Sequence, residues 1–171
     1  MDIQFKTFRP EDPAYKEEYD LRNRVLRHPL GLDLKDEDLS RDREDIHLGG
    51  FSNGSLAALL LLHPLGDGVY QMRQVCVTPE MQGKGYGRKL VEASEALLKE
   101  NGGCKITLHA RQSAAGFYLK LGYRITGRRT HSGSRVNSYT EIQESSAMTP
   151  GMTKTAAATE TGTSTAAMMR A

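Results

Sequence analysis

The chain has only two cysteines in 171 residues, no long hydrophobic run and a formal net charge of just +2. Each shortage excludes a class of protein. Cys76 and Cys104 lie in apolar, strand-like stretches, with no CxxC and no His/Cys cluster nearby. They read as buried free thiols of a reducing, cytoplasmic compartment, with neither a disulfide nor a metal implied. The longest apolar stretch, Leu56 to Leu62, is far too short to span a bilayer, so no membrane association is expected. Met1-Asp2-Ile3-Gln4 lacks the basic and apolar regions of a signal peptide. Lysine and arginine are spread along the chain, without the clustered basic face that a nucleic-acid partner requires. Two nucleotide-binding motifs are missing as well. A P-loop needs Gly-Lys-Ser/Thr at its end, and a dinucleotide fingerprint needs G-x-G-x-x-G.

What remains fits one α/β domain over residues 1–144 followed by a low-complexity tail over 145–171. Ile3 to Phe8 alternates as a strand. Asp12-Pro13 reads as an N-cap with proline at the first helical position, and His28-Pro29 ends that helix. Asp33 to Asp45 is dense in charge of both signs and reads as a solvated loop or helix face. Asn53-Gly54 between two apolar runs signals a hairpin. Leu59 to Leu62 is apolar without interruption, so that strand is expected to be covered on both faces. In Val69 to Val77, regular alternation would put Arg73, Val75 and Val77 on one face, and a bulge would explain the mixture. Leu90, Val91, Ser94, Leu97 and Leu98 mark one stripe of a helix over 88–100, and Ala114, Phe117, Tyr118 and Leu121 mark another. From Ser145 onward Ala, Thr, Ser and Met recur without periodicity. That composition fits a disordered tail, a shifted reading frame or a fusion remnant.

The most informative stretch is Gln82-Gly83-Lys84-Gly85-Tyr86-Gly87, between the strand Val75-Cys76-Val77 and a helix. Alternating glycines allow a tight turn that gathers backbone N–H groups, and the helix start adds partial positive charge. The result is an anion site suited to phosphate or pyrophosphate. Val75 to Gly87 resembles the acetyl-CoA motif of the GNAT superfamily of N-acetyltransferases, Q/R-x-x-G-x-G/A after a strand ending V-x-P. Ala114-Ala115-Gly116-Phe117-Tyr118-Leu119-Lys120-Leu121-Gly122-Tyr123 resembles that superfamily's second hallmark, A-x-x-F-Y-x-K-x-G-F/Y. The resemblance runs from about Ile3 to Gly127. Leu21 to Leu26, with Asp45-Ile46-His47, also resembles the ElaA-like branch, although the loop between them lacks that branch's pattern.

The resemblance implies a GNAT fold, a central mixed and mostly antiparallel sheet flanked by helices. It implies acetyl transfer from acetyl-CoA, as cosubstrate, to a primary amine of a small molecule or peptide, by direct attack in a ternary complex and without a metal. A homodimer is compatible with it. The backbone of Gln82, Gly83, Lys84, Gly85, Tyr86, Gly87 and Arg88 would cradle the pyrophosphate, aided by the two cations. The edge of Val75, Cys76 and Val77 would pair with the pantetheine amides. A backbone N–H near Val77 would polarise the acetyl carbonyl. Tyr118 matches the tyrosine that protonates the departing thiolate, while its place on an apolar stripe also fits a core residue. His47, His109 and Glu80 are the candidates for the base. Two rivals share these motifs: a module that holds acyl-CoA without turnover, and a phosphate-binding protein for another nucleotide. The family's last strand would have to come from Val136 to Ile142.

Overall fold

A tight hairpin organises the sheet. In the computed structural model, which describes residues 2–125, 139–141 and 153–156, Ile46–Ser52 (β2) and Ser55–Gly66 (β3) are joined by Asn53 and Gly54. Both joining residues have positive φ, 52° and 82°, as a type I′ turn requires. Gln4–Phe8 (β1) pairs antiparallel with β2, and β3 pairs antiparallel with Val69–Val77 (β4). Lys105–Arg111 (β5) then joins β4 in parallel, across a crossover helix, Tyr86–Glu100 (α2). Beyond β5 lie Arg124–Ile125 (β6), Tyr139–Glu141 (β7) and Thr153–Ala156 (β8). β7 is antiparallel to β5, while β8 runs parallel to both β5 and β6. β7 falls inside the segment expected to supply the last strand. β8 falls inside the expected tail, the rest of which lies outside the described residues.

Ala14–Arg22 (α1) covers one face of this mixed sheet; Tyr86–Glu100 (α2) and Gln112–Lys120 (α3) cover the other. Leu60 and Leu62 pack beneath α2, Leu59 and Leu61 on the α1 side, and all four are fully buried. The two-sided cover expected for β3 is therefore present. α2 starts two residues before Arg88, and Gly102, at φ 76°, ends it.

Two local expectations need correction. Asp12 does not cap α1 forward: its carboxylate accepts the backbone N–H of Arg9 at 2.8 Å, and Pro13 occupies the cap. The Asp33–Asp45 segment is a solvated loop only in part: Lys35, Asp36, Asp38, Arg41, Arg43 and Glu44 are exposed, but three residues are buried. Leu34 is completely buried, and Asp42 and Asp45 turn inward to meet buried cations. Among the described residues no helix is long and apolar enough to cross a membrane.

Candidate active site

The site begins where β4 and β5 stop pairing. Their last partners are Met72 and Leu108, yet β4 runs on to Val77 and β5 to Arg111. The break coincides with a bulge. Leu61 faces Arg73 and Leu59 faces Cys76, so two steps on β3 are matched by three on β4. Gln74 absorbs the extra residue at φ 53°. The expected bulge is therefore present, and it separates Arg73 from Val75 and Val77. Arg73 lies on the α1 side with Asp45, whereas Val75 and Val77 join the α2 core.

Beyond the bulge, no strand among the described residues pairs with the β5-facing edge of β4. Thr78 donates its N–H to Ala57 of β3 at 2.8 Å. By strand alternation the N–H and C=O of Val77, and those of Val75, point the other way, into the gap. The Val77 carbonyl there accepts the Gln82 side-chain amide at 3.0 Å. A 3-10 turn, Pro79–Met81, leads from the strand to the glycine loop. Gly83 and Gly85 have φ 72° and 79°, and a Cβ added to either would meet no protein atom within 4 Å. Gly85 caps α2 without any side-chain hydrogen bond, and the first turn of α2 holds no acidic residue. The first intrahelical bond runs from the Lys89 N–H to Gly85, so the Gly87 and Arg88 amides precede the helix's own ladder, while the Gln82 N–H already donates to the Pro79 carbonyl at 3.3 Å. The open strand edge, the glycine loop and the helix start thus adjoin at one end of the sheet.

The α1 side supplies charge. After Arg22 the helix widens into a π turn, Asn23–Arg27. Arg22, buried, contacts Glu18 at 2.9 Å and Asp42 at 2.6 Å. Tyr15 donates its hydroxyl to Asp42. Arg27, also buried, forks onto Glu37 and donates to the Gln74 side chain at 3.3 Å. Arg24 reaches Glu80, just ahead of the glycine loop, at 3.1 Å. Arg73 and His63 share Asp45.

The other candidate residues separate on inspection. His47 is fully buried; Nδ1 meets Glu18 at 2.6 Å and Nε2 meets the Asp42 carbonyl at 2.7 Å. An ionised carboxylate and a carbonyl only accept, so both ring nitrogens carry protons. Burial is the largest influence and opposes that charge, but the hydrogen bonds and charges of Glu18 and Asp42 together outweigh it and raise the imidazole's pKa. His47 has no lone pair left for an incoming amine. His109 stands one residue past the last β4–β5 pair, half-buried, alternating away from Leu108 and Ala110. Glu80 is exposed, and a backbone hydrogen bond, then Arg24, hold its carboxyl below the ordinary range. Tyr118 is 1% exposed and belongs to the same apolar cluster as Val75, Val77 and Tyr86. Its ring packs edge-on against Phe117 and Tyr123. Burial pushes the phenol's pKa up, so it stays protonated. Lys84 folds its ammonium onto the Glu80 carbonyl at 2.9 Å, while Arg88 is half-exposed beside Glu92. An open crevice of about 1000 Å³ lined by Phe8, Arg43, Asp45 and Tyr70 lies at the opposite end of the sheet, away from the glycine loop. Among the described residues no cluster suits a metal.

Sequence reasoning missed Arg27, Glu37 and Gln74. Each is ordinary in sequence, and only the tertiary pairing makes it notable.

Similarity to known proteins agrees with this geometry. YitI, an uncharacterized N-acetyltransferase of Bacillus subtilis, is 24% identical over 131 residues, covering 73% of this chain and 85% of its own length. The chain spans only 37% and 38% of the length of two further Bacillus subtilis relatives. A Lactobacillus plantarum structure shares the fold at a TM-score of 0.71 and 22% identity, over 91% of this chain and 99% of that one. Escherichia coli ElaA does so at 0.68 and 17%, over 82% of this chain and 98% of its own. The family model for the acetyltransferase (GNAT) family matches residues 6–123. With the glycine loop, the split strands and that match in hand, the chain belongs to the GNAT acetyltransferase family.

Proposed function

We propose that the protein transfers an acetyl group from acetyl-CoA to a primary amine of a small molecule or peptide, by direct attack while both are bound. One observation carries this reading: the edge of Val75–Val77, which no described strand pairs, runs directly into a glycine loop that opens a helix. A pantetheine arm is an extended chain with amides, and such an edge pairs with it as it would with a strand. Its pyrophosphate is an anion, and the loop amides from Gly83 to Arg88 suit it, with Lys84 and Arg88 nearby, whereas the Gln82 N–H is taken by Pro79. The Val75 and Val77 N–H groups reach the gap where the thioester carbonyl would lie, so negative charge developing on that oxygen meets a donor.

Tyr118 is the proposed proton donor to the leaving thiolate. Its burial keeps the phenol protonated at neutral pH. His109, at the point where the strands part, is the proposed acceptor of the amine's proton. His47 is assigned no part in proton transfer, and neither is Cys76: its thiol is buried, with the pKa pushed up to about 12 by that burial, and its backbone groups face β3 opposite Leu59 rather than the gap.

Acetyl-CoA at 100 times its dissociation constant should stabilise the fold by about 2.7 kcal/mol, readable as a rise in Tm. Gly85→Ala should abolish most of that rise, because φ 79° strains any L side chain and the methyl would project into the open space beside the loop amides. A panel of amines, followed by release of free CoA, then tests turnover. Tyr118→Phe should bind acetyl-CoA normally yet lose about 10²–10⁴-fold in kcat. Normal turnover by a folded Tyr118→Phe would remove the phenol from the mechanism.

A further inference from the structure

The π turn Asn23–Arg27 touches three parts of the molecule at once. Asn23 accepts the Leu34 N–H and donates to Asp33, anchoring the segment that precedes β2. Arg24 reaches Glu80 before the glycine loop. Arg27 joins Glu37 of that same preceding segment to Gln74 of the bulge. A π turn inside a helix is costly and tends to occur where a side chain must be aimed.

Gln74 is the odd partner. At φ 53° glycine would sit without steric cost, yet a glutamine occupies the bulge with 1% exposure. A left-handed, non-glycine residue persists only when its surroundings hold it there. The surroundings include a buried guanidinium whose orientation is fixed by a two-point bond to Glu37.

We infer that Gln74 is a positioning residue for acetyl transfer: held through its side chain by Arg27, it fixes the bulge and thereby the direction of the Val75 and Val77 amides. The inference rests on the reading that those amides receive acetyl-CoA. Gln74 touches no reacting atom. It sets the angle at which the strand edge leaves the bulge. Glu37 acts one step further back, by holding Arg27.

Infrared spectroscopy of acetyl-CoA labelled with ¹³C at the thioester carbonyl tests this without knowledge of the acceptor. Bound to the wild-type protein, the carbonyl stretch should move to lower frequency, as donors polarise it. Gln74→Gly keeps a backbone that φ 53° permits but loses the contact to Arg27. Its affinity for acetyl-CoA should stay within about threefold, while most of the frequency shift disappears. Arg27→Lys keeps the charge opposite Glu37 but loses the fork, and should do the same. A merely structural role would lower Tm in both variants and leave the bound carbonyl unchanged. Binding with a wild-type frequency shift in both variants overturns the inference alone. Absence of saturable acetyl-CoA binding by the wild-type protein overturns the functional reading, and the inference with it.

Discussion

The two faces of the sheet are built from the same strands and opposite chemistry. Under α2, Leu48, Leu60, Leu62, Met72, Val75 and Val77 meet Leu90, Val91 and Leu98 in an apolar layer. Under α1, Leu59 and Leu61 share their layer with Glu18, Arg22, Asp42, Asp45, His47 and Arg73, all buried. Apolar burial is non-directional and contributes stability at roughly 25 cal/mol per Å². Buried ion pairs contribute little net stability, because desolvation consumes most of the attraction, but they tolerate few geometries. The α2 face therefore holds the sheet together. The α1 face fixes where particular residues point, and Gln74 is one of them.

The sharpest way to break this contrast is to remove one charge. Arg22→Met leaves Glu18 and Asp42 facing each other and His47 without their shared cation. The expected loss is about 3–5 kcal/mol, read from urea unfolding. Leu60→Ala attacks the other face and should cost roughly 2–5 kcal/mol, by loss of buried surface and by the cavity left behind. It should leave the bound-carbonyl frequency of acetyl-CoA unaltered, since the α1 side is untouched. If both variants lose stability equally and both disturb the carbonyl, the division of labour between the faces is wrong.

The smallest effect is in pH. His47 is held between Glu18 and the Asp42 carbonyl, with Arg22 and Tyr15 also facing the cluster. Its folded pKa is raised above the unfolded value near 6.5. The protonated ring therefore contributes stability that is fully present below about 6.5 and is lost as pH climbs through the raised value. The urea midpoint should fall over that range in the wild type and in Leu60→Ala. His47→Gln should flatten it.

Much of this was legible in the sequence because it is local. Asn53-Gly54 dictates a hairpin turn through φ alone, and the Leu90-Val91-Ser94-Leu98 stripe needs only helical spacing. The glycine loop carries its own signal, since Gly83 and Gly85 are required by positive φ. The α1 side was not legible, because its chemistry comes from pairs distant in sequence. Asp42 and Asp45 look like two more charges in a polar stretch until Arg22 and Arg73 arrive from elsewhere. His47 read as a candidate base for the same reason: nothing near it in sequence shows that both its nitrogens are taken. The bulge was legible as broken alternation, but not which residue carries it or what restrains that residue.

The bulge at Gln74 has a consequence best put in terms of phase. Because β4 gains one residue without changing the faces on either side of it, a chain lacking Gln74 would keep Met72, Val75 and Val77 toward α2, and Arg73 and Cys76 toward α1. The apolar layer under α2 would not register the deletion, while the α1 side would lose a buried side chain and its hydrogen bond to Arg27. The path of the edge would change, with β4 running straight alongside β5 and the gap between them zipped shut. Residue 74 is thus a spacer whose removal would leave the alternation of β4 in phase and whose presence keeps two parallel strands from completing their ladder.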